Sequence, residues 1–168
     1  GAVSLMVTHM IAAVMRERGI RGSFASGGIT AVLTDLLEEG LFHELWDVQS
    51  FDLTAAESLR RNPNHHEMSA GLYADPGVVG NIAGKLDVMI LSAAEVDANF
   101  NVNSLTGSNG RIIGALGGAP DTAAGSKLTI VVLPAVRGRI PTLHRQVRTV
   151  CTPGRSVDIV VTERGIAL

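Results

Sequence analysis

Hydrophobic and polar positions divide the chain into helical and extended stretches. Leu5, Met6, His9, Met10, Ala13 and Val14 recur at helical spacing, and Arg16, Arg18 and then Gly19 follow as a basic last turn and a left-handed stop. The spacing predicts a helix over 4–18. Nothing earlier in the chain could cover its broad apolar surface, so the sequence is expected to start inside a larger protein, with Gly1 and Ala2 compatible with a tag remnant. Residues 20–25 read as a buried strand entering a tight turn at Ser26-Gly27-Gly28. A helix over 29–39 follows, with Ile29, Val32, Leu33, Leu36 and Leu37 on one face and Gly40 as its stop. A second strand over 46–51 leads to Asp52 or Thr54 as the cap of a short helix ending at Arg61. Residues 62–76 read as a loop with at most a turn of helix around 67–72, and 78–85 is compatible with a helix despite Gly80 and Gly84. The runs 86–91, 128–133 and 157–161 are almost continuously apolar, as expected of strands covered on both faces. The predicted fold class is α/β: three layers, α/β/α, around a mostly parallel sheet.

One stretch resists a scaffold explanation. Residues 92–126 contain six glycines, four asparagines and only four charged residues, Glu95, Asp97, Arg111 and Asp121. Amides and exposed backbone supply its polarity, which is the chemistry of a ligand cradle. A long connection padded with turn formers is the plainer alternative, although a loop-rich segment of this length in a compact domain tends to be functional.

Composition narrows the classes. The 168 residues fit a single domain, able to bury about 70% of its unfolded surface. A net charge of −2 and 4% aromatic residues disfavour nucleic acid as a partner. The single cysteine, Cys151, excludes an internal disulfide framework and fits a reducing, cytoplasmic compartment. No apolar run reaches membrane-spanning length, so no membrane partner is expected.

Ligands of open parallel sheets gather at the carboxyl ends of the strands, where Ser26-Gly27-Gly28 and the segment 95–103 are both expected. A Gly-Gly ahead of a helix offers N–H groups to an anion, or is only a tight turn. Gly117 and Gly118 permit close backbone approach, with Asp121 or Thr122 as the cap of a short helix over 120–127, and two converging N–H groups there would form an oxyanion hole. Glu95 and Asp97, two apart, read as an acid/base pair or as loop supports. Asn99, Asn101 and Asn103 place three amides on one side of an extended segment, to bind a hydroxylated or carboxylated substrate or to hold their own backbone. Arg137, Arg139 and Arg145 meet phosphates or form a solvated positive face. His65, His66 and Glu67 lack a third metal ligand at a motif spacing, so no metal is expected, and Cys151 reads as a packed residue.

The segments SGGIT (26–30), DVQSFD (47–52), HEMSA (66–70), LDVMILSAAEVDANFNVNSLTGSNG (86–110), GGAPDTAAGSKL (117–128), VRGRIPT (136–142) and TPGRSVDIVVTERGIA (152–167) resemble the alpha subunit of citrate lyase, and the similar citramalate lyase subunit. The resemblance implies a CoA-transferase-like fold, with 1–168 as one domain, the C-terminal one of a longer two-domain subunit. It also implies exchange of acetate for citrate on a thioester held by an acyl carrier protein, the gamma subunit. The carrier's phosphoribosyl-dephospho-CoA is then supplied in trans, with no tightly bound cofactor of the chain's own. A beta subunit would cleave the citryl thioester, and an oligomeric complex with the N-terminal domain is expected, the fragment alone being inactive. Glutamate-dependent CoA transferases carry a nucleophilic Glu before such a glycine turn. Ser26-Gly27-Gly28 brings no carboxylate, which points to direct attack by citrate, with Ser26, Gly27, Gly28, Gly117 and Gly118 stabilising oxyanions. In this scheme Asn99, Asn101 and Asn103 orient citrate, Arg137 and Arg139 meet carboxylates or phosphates, and Glu95, Asp97 and Asp121 are acid/base groups or supports. Relatives often have a His after the two glycines, where this chain has Ala119-Pro120, which leaves citramalate open. A free-CoA acyl transferase and a non-catalytic assembly domain are the rival classes.

Overall fold

The computed structural model describes residues 2–168, with only the backbone of Ala2 and Ser4; the expectation for Gly1 lies outside the described residues. The chain forms two compact units, residues 4–73 and 74–168, each with its own core.

In the first unit, α1 (Ala2–Arg18) ends as its sequence predicts: Gly19 N–H donates to Arg16 O and Ile20 N–H to Met15 O, closing the carbonyls of the last turn. Strands β1 (Gly22–Ile29), β2 (Phe42–Ser50) and β3 (His65–Glu67) pair in parallel with β2 central, joined by α2 (Ala31–Glu38) and α3 (Leu53–Arg61); α4 (Ala70–Ala74) follows. The apolar faces of α2 and α3 close one core around Ile29, Leu37, Leu45 and Ala55, while Ala12 and Met15 of α1 meet Leu36 and Leu41 in another.

Two expectations are corrected here. Ser26-Gly27-Gly28 is not a strand-to-helix turn but lies inside β1. Pairing to β2 runs on to Ile29 opposite Ser50, through a register shift between Gly27 and Gly28 that Gly27 absorbs at φ 119°, because the fully buried Ile29 belongs to the core. The loop expected over 62–76 contains β3, with His65 and His66 opposite Leu45 and Trp46.

In the second unit, β4 (Met89–Ser92), β7 (Thr129–Val132) and β11 (Ile159–Thr162) form the parallel sheet that the apolar runs predicted, with β12 (Gly165–Ala167) antiparallel on its edge. Between them lie β5 (Glu95–Asp97), β6 (Val102–Asn103), α5 (Ala119–Gly125), the hairpin β8 (Val136–Arg137) and β9 (Ile140–Pro141), and β10 (Leu143–His144). The helix expected over 78–85 is reduced to a 3-10 turn, Ala83–Lys85. Leu91, Val96, Val102, Val131, Leu133, Val157 and Val160 form the core under this sheet. The fold is thus mixed α/β with mostly parallel sheets. No helix among the described residues is long and apolar enough to cross a membrane.

Candidate functional site

In the second unit the polar stretch is built on a hairpin. β5 and β6 are antiparallel with Glu95 opposite Asn103, and β10 runs parallel to β5. Glu95 and Asp97 share a face, as alternate residues should, and both are buried. Asn103, with no exposure, donates from Nδ2 to Glu95 Oε2 at 2.8 Å and to Thr106 O at 2.7 Å, while its Oδ1 accepts the N–H groups of Leu105 and Thr106. Glu95 Oε1 accepts from Ser108 Oγ at 2.5 Å and lies 3.5 Å from His144 Nε2, which is also 3.1 Å from Pro141 O.

Asp97 is a hub for backbone. Its Oδ1 accepts the N–H groups of Asn99 and Asn101, and its Oδ2 accepts Val147 N–H and Asn101 Nδ2. Burial alone disfavours its charge, but the hydrogen bonds from Val147, Asn101 and Asn99 outweigh it and hold the carboxyl below its ordinary range. These bonds also hold the turn in which Phe100 adopts φ 64°, a conformation that a bulky residue rarely takes. Asn101 Oδ1 accepts Gly154 N–H at 3.0 Å. A Cβ added to Gly154 would stand 1.8 Å from Asn99 O, so only glycine fits that approach. The side chains of Asn101 and Asn103 and both carboxylates are therefore spent on the framework, and of the three asparagines Asn99 alone is exposed.

Gly117, at φ 53°, ends an exposed run that starts at Ser108, and Gly118 is the N-cap of α5. The cap expected of Asp121 or Thr122 is corrected. Asp121 sits exposed in the first turn, and the fully buried Thr122 donates from Oγ1 back to Gly118 O at 2.8 Å. Arg137 and Arg139 flank Gly138 in the β8–β9 hairpin; Arg137 Nη2 donates to Ala93 O and Arg139 is exposed.

The first unit holds a second polar cluster. Its Ser26, Trp46 and His66 stand in one row across the sheet, with the Trp46 and His66 rings 4.8 Å apart. In the row at His65, Nδ1 is 3.0 Å from Ser58 Oγ and Nε2 is 3.4 Å from Asp47 Oδ2, within ion-pair range but without hydrogen-bond alignment. Asp47 Oδ2 accepts Ser50 Oγ at 2.5 Å. Asp47 Oδ1 and Ser26 Oγ are buried with no hydrogen-bond partner among the described residues. Burial pushes the His65 pKa down, against the pull of the Asp47 charge.

The structure thus unites Glu95, Asp97, Asn101 and Asn103 in one framework. Ser26, Gly27 and Gly28 belong to the other unit. Sequence reasoning missed Thr106, Ser108 and His144 around Glu95, and Asp47, Ser50 and Ser58 around His65. The alternation of EVD and VN about a DANFN turn could have signalled a hairpin pairing Glu95 with Asn103, but His144 reaches Glu95 only through tertiary pairing. No group of three His, Cys, Asp or Glu able to hold a metal ion occurs among the described residues.

A family model described as citrate lyase, alpha subunit, matches residues 1–168. The citrate lyase alpha chains of Escherichia coli (strain K12) and Klebsiella pneumoniae are 57% and 53% identical to this chain over all of its 168 residues, which are 33% of each relative. The chain spans about a third of the length of these curated relatives. A crystal structure of the alfa subunit of citrate lyase in complex with citrate, from Streptococcus mutans, superposes with a TM-score of 0.95 at 51% identity, over 98% of this chain and 32% of that one. The chain belongs to the citrate lyase alpha subunit family.

Proposed function

We propose that the chain is part of a transferase that exchanges the acetyl group of a carrier-bound thioester for citrate, in the service of citrate cleavage to oxaloacetate and acetate. The observation that carries this reading is the likeness to the Streptococcus mutans subunit solved with citrate, which extends over nearly the whole chain. A citrate carboxylate oxygen attacks the acetyl carbonyl carbon, the C–S bond breaks, and the carrier leaves as thiolate. The mixed anhydride is then opened at its citryl carbonyl by that thiolate, releasing acetate, so one thioester replaces another. The carrier's phosphoribosyl-dephospho-CoA arm arrives as substrate, and arginines such as Arg139 have the chemistry to meet its phosphates.

The carboxylates support direct attack. Glu95 and Asp97 are buried and tied to neighbours, so neither is presented as a free nucleophile. The backbone N–H groups at Gly117 and Gly118 are assigned to a developing oxyanion, where one donor is worth about 3 kcal/mol. Asn99 is assigned to citrate, with Asn101 and Asn103 positioning its loop, and Arg137 and Arg139 are assigned to carboxylates or phosphates. Asp121, exposed at the start of α5, is kept as a loop support. A cytoplasmic, multi-subunit complex with carrier and lyase subunits belongs to the same reading.

Rapid-quench labelling of the full-length protein with acetyl carrier and labelled citrate tests it. Label should pass to the carrier thioester with no acyl or CoA adduct on the protein, whereas an adduct on Glu95 would replace direct attack by covalent catalysis. Equal exchange on free CoA thioester would favour the free-CoA transferase. Faster turnover of citramalate than of citrate would reassign the acid, a reading that Ala119-Pro120 after the two glycines keeps in view.

A further inference from the structure

A net charge of −2 conceals a segregation. Residues 98–157 hold seven Arg and Lys against a single acid, Asp121, a formal charge of +6, while the other 108 residues carry seven basic against fifteen acidic side chains, a charge of −8. Arg111, Arg145, Arg148 and Arg155 lie in the basic segment, and all four are exposed. Among the described residues none of them is within ion-pair distance of a carboxylate, whereas Arg16, Arg60, Arg61 and Arg164 each have one.

Arg145 and Arg148 stand on a fixed ledge. The segment from Thr142 to Gly154 is stitched to the β5–β6 hairpin and the turn after it by bonds that include Val96 N–H to Thr142 O, Val147 N–H to Asp97, Thr106 Oγ1 to Thr149 Oγ1, Cys151 N–H to Val102 O, and Gly154 N–H to Asn101. Thr142, Val147 and Thr152 are buried, Arg145 and Arg148 lie exposed between them, and Arg155 is exposed three residues past Thr152. The Arg148 guanidinium lies against Gly110, beside Arg111 in the chain, where a Cβ on the glycine would stand 3.0 Å away. Leu143 and Val150, 46% and 52% exposed, interleave with the charges.

We propose that Arg111, Arg145, Arg148 and Arg155, with Leu143 and Val150 among them, form a docking surface for an acidic protein, the acyl carrier of the exchange reaction. The identification of the carrier rests on the functional reading given above. The hydrogen-bonded backbone fixes where these charges are rooted, and like-signed patches of this kind steer an oppositely charged partner into register. Interleaved aliphatic side chains suit a protein partner. Nucleic acid would need faces on which bases stack, and no Phe, Tyr or Trp follows Phe100.

The test uses the full-length protein and the apo carrier protein, labelled for fluorescence anisotropy, at low and high salt. Wild-type affinity should fall steeply as salt rises. The variant Arg145→Glu/Arg148→Glu/Arg155→Glu should bind about tenfold or more weakly, whereas the triple Lys variant, which keeps the charge, should stay within about threefold of wild type. Three results would each overturn the proposal: undiminished binding by the Glu variant, an equal loss in the Lys variant, or wild-type affinity indifferent to salt. The exchange reading is judged separately on the wild type. A carrier that binds through these arginines but receives no citryl group supports the docking surface and sinks the exchange.

Discussion

His65 is an enclosed imidazole, with Ser58 at Nδ1, the Asp47 carboxylate beside Nε2 and His66 as its charged neighbour when protonated. Burial lowers its pKa, so the folded chain keeps it neutral where the unfolded chain would already take up a proton. The unfolded state binds more protons between the folded value and about 6.5, so stability rises with pH across that window and is complete above it. Melting temperature should therefore fall as pH is lowered below about 6.5, and His65→Gln should flatten that part of the profile. An unchanged slope in the variant would show that another group governs it. His65 also illustrates what residue types alone do not reveal. The His-His-Glu run suggested a polar loop, but β3 pairs with β2 and carries His65 into the interior. Asn101 and Asn103 make the same point, since their sequence left binding a substrate and holding their own backbone both open, and the structure spends them on Gly154, Asp97, Glu95 and Thr106.

At the scale of elements, Asp52 joins two helices. Its Oδ1 accepts Ala55 N–H as the N-cap of α3, and its Oδ2 accepts Ala31 N–H in the first turn of α2, both at 2.8 Å. These bonds, led by that from Ala31, lower its pKa, so its contribution is present above the unfolded value of about 3.9 and is lost as pH falls through the folded one. Asp52→Ala should cost about 1–2 kcal/mol in denaturant unfolding at neutral pH, and Asp52→Asn, which keeps an acceptor, should cost less. Equal costs for both would mean that charge rather than capping matters. This cap was legible because it depends on local sequence, as were the end of α1 and the three apolar strands. The extension of β1 through two glycines was not, because it depends on where Ile29 is buried and on how β2 pairs beside it.

Over the whole molecule, charge distribution predicts behaviour that net charge does not. A sequence pI of about 6.2 would assign the protein to an anion exchanger at neutral pH and to no cation exchanger. Binding to a charged matrix, however, is governed by the face that meets it, because the pull of each charge weakens with its distance. The +6 segment should then act as a cationic surface in spite of the acids elsewhere. At pH 7.5 and low salt the protein is expected to be retained on a phosphate-bearing cation exchanger and to elute at moderate salt. Arg145→Glu/Arg148→Glu/Arg155→Glu should pass through unretained, while Arg16→Glu/Arg60→Glu/Arg61→Glu, an equal charge change at arginines already paired with Glu39 and Glu57, should still be held. If both triple variants lose retention alike, net charge is the controlling quantity, and segregation of charge along the chain has no counterpart at the surface.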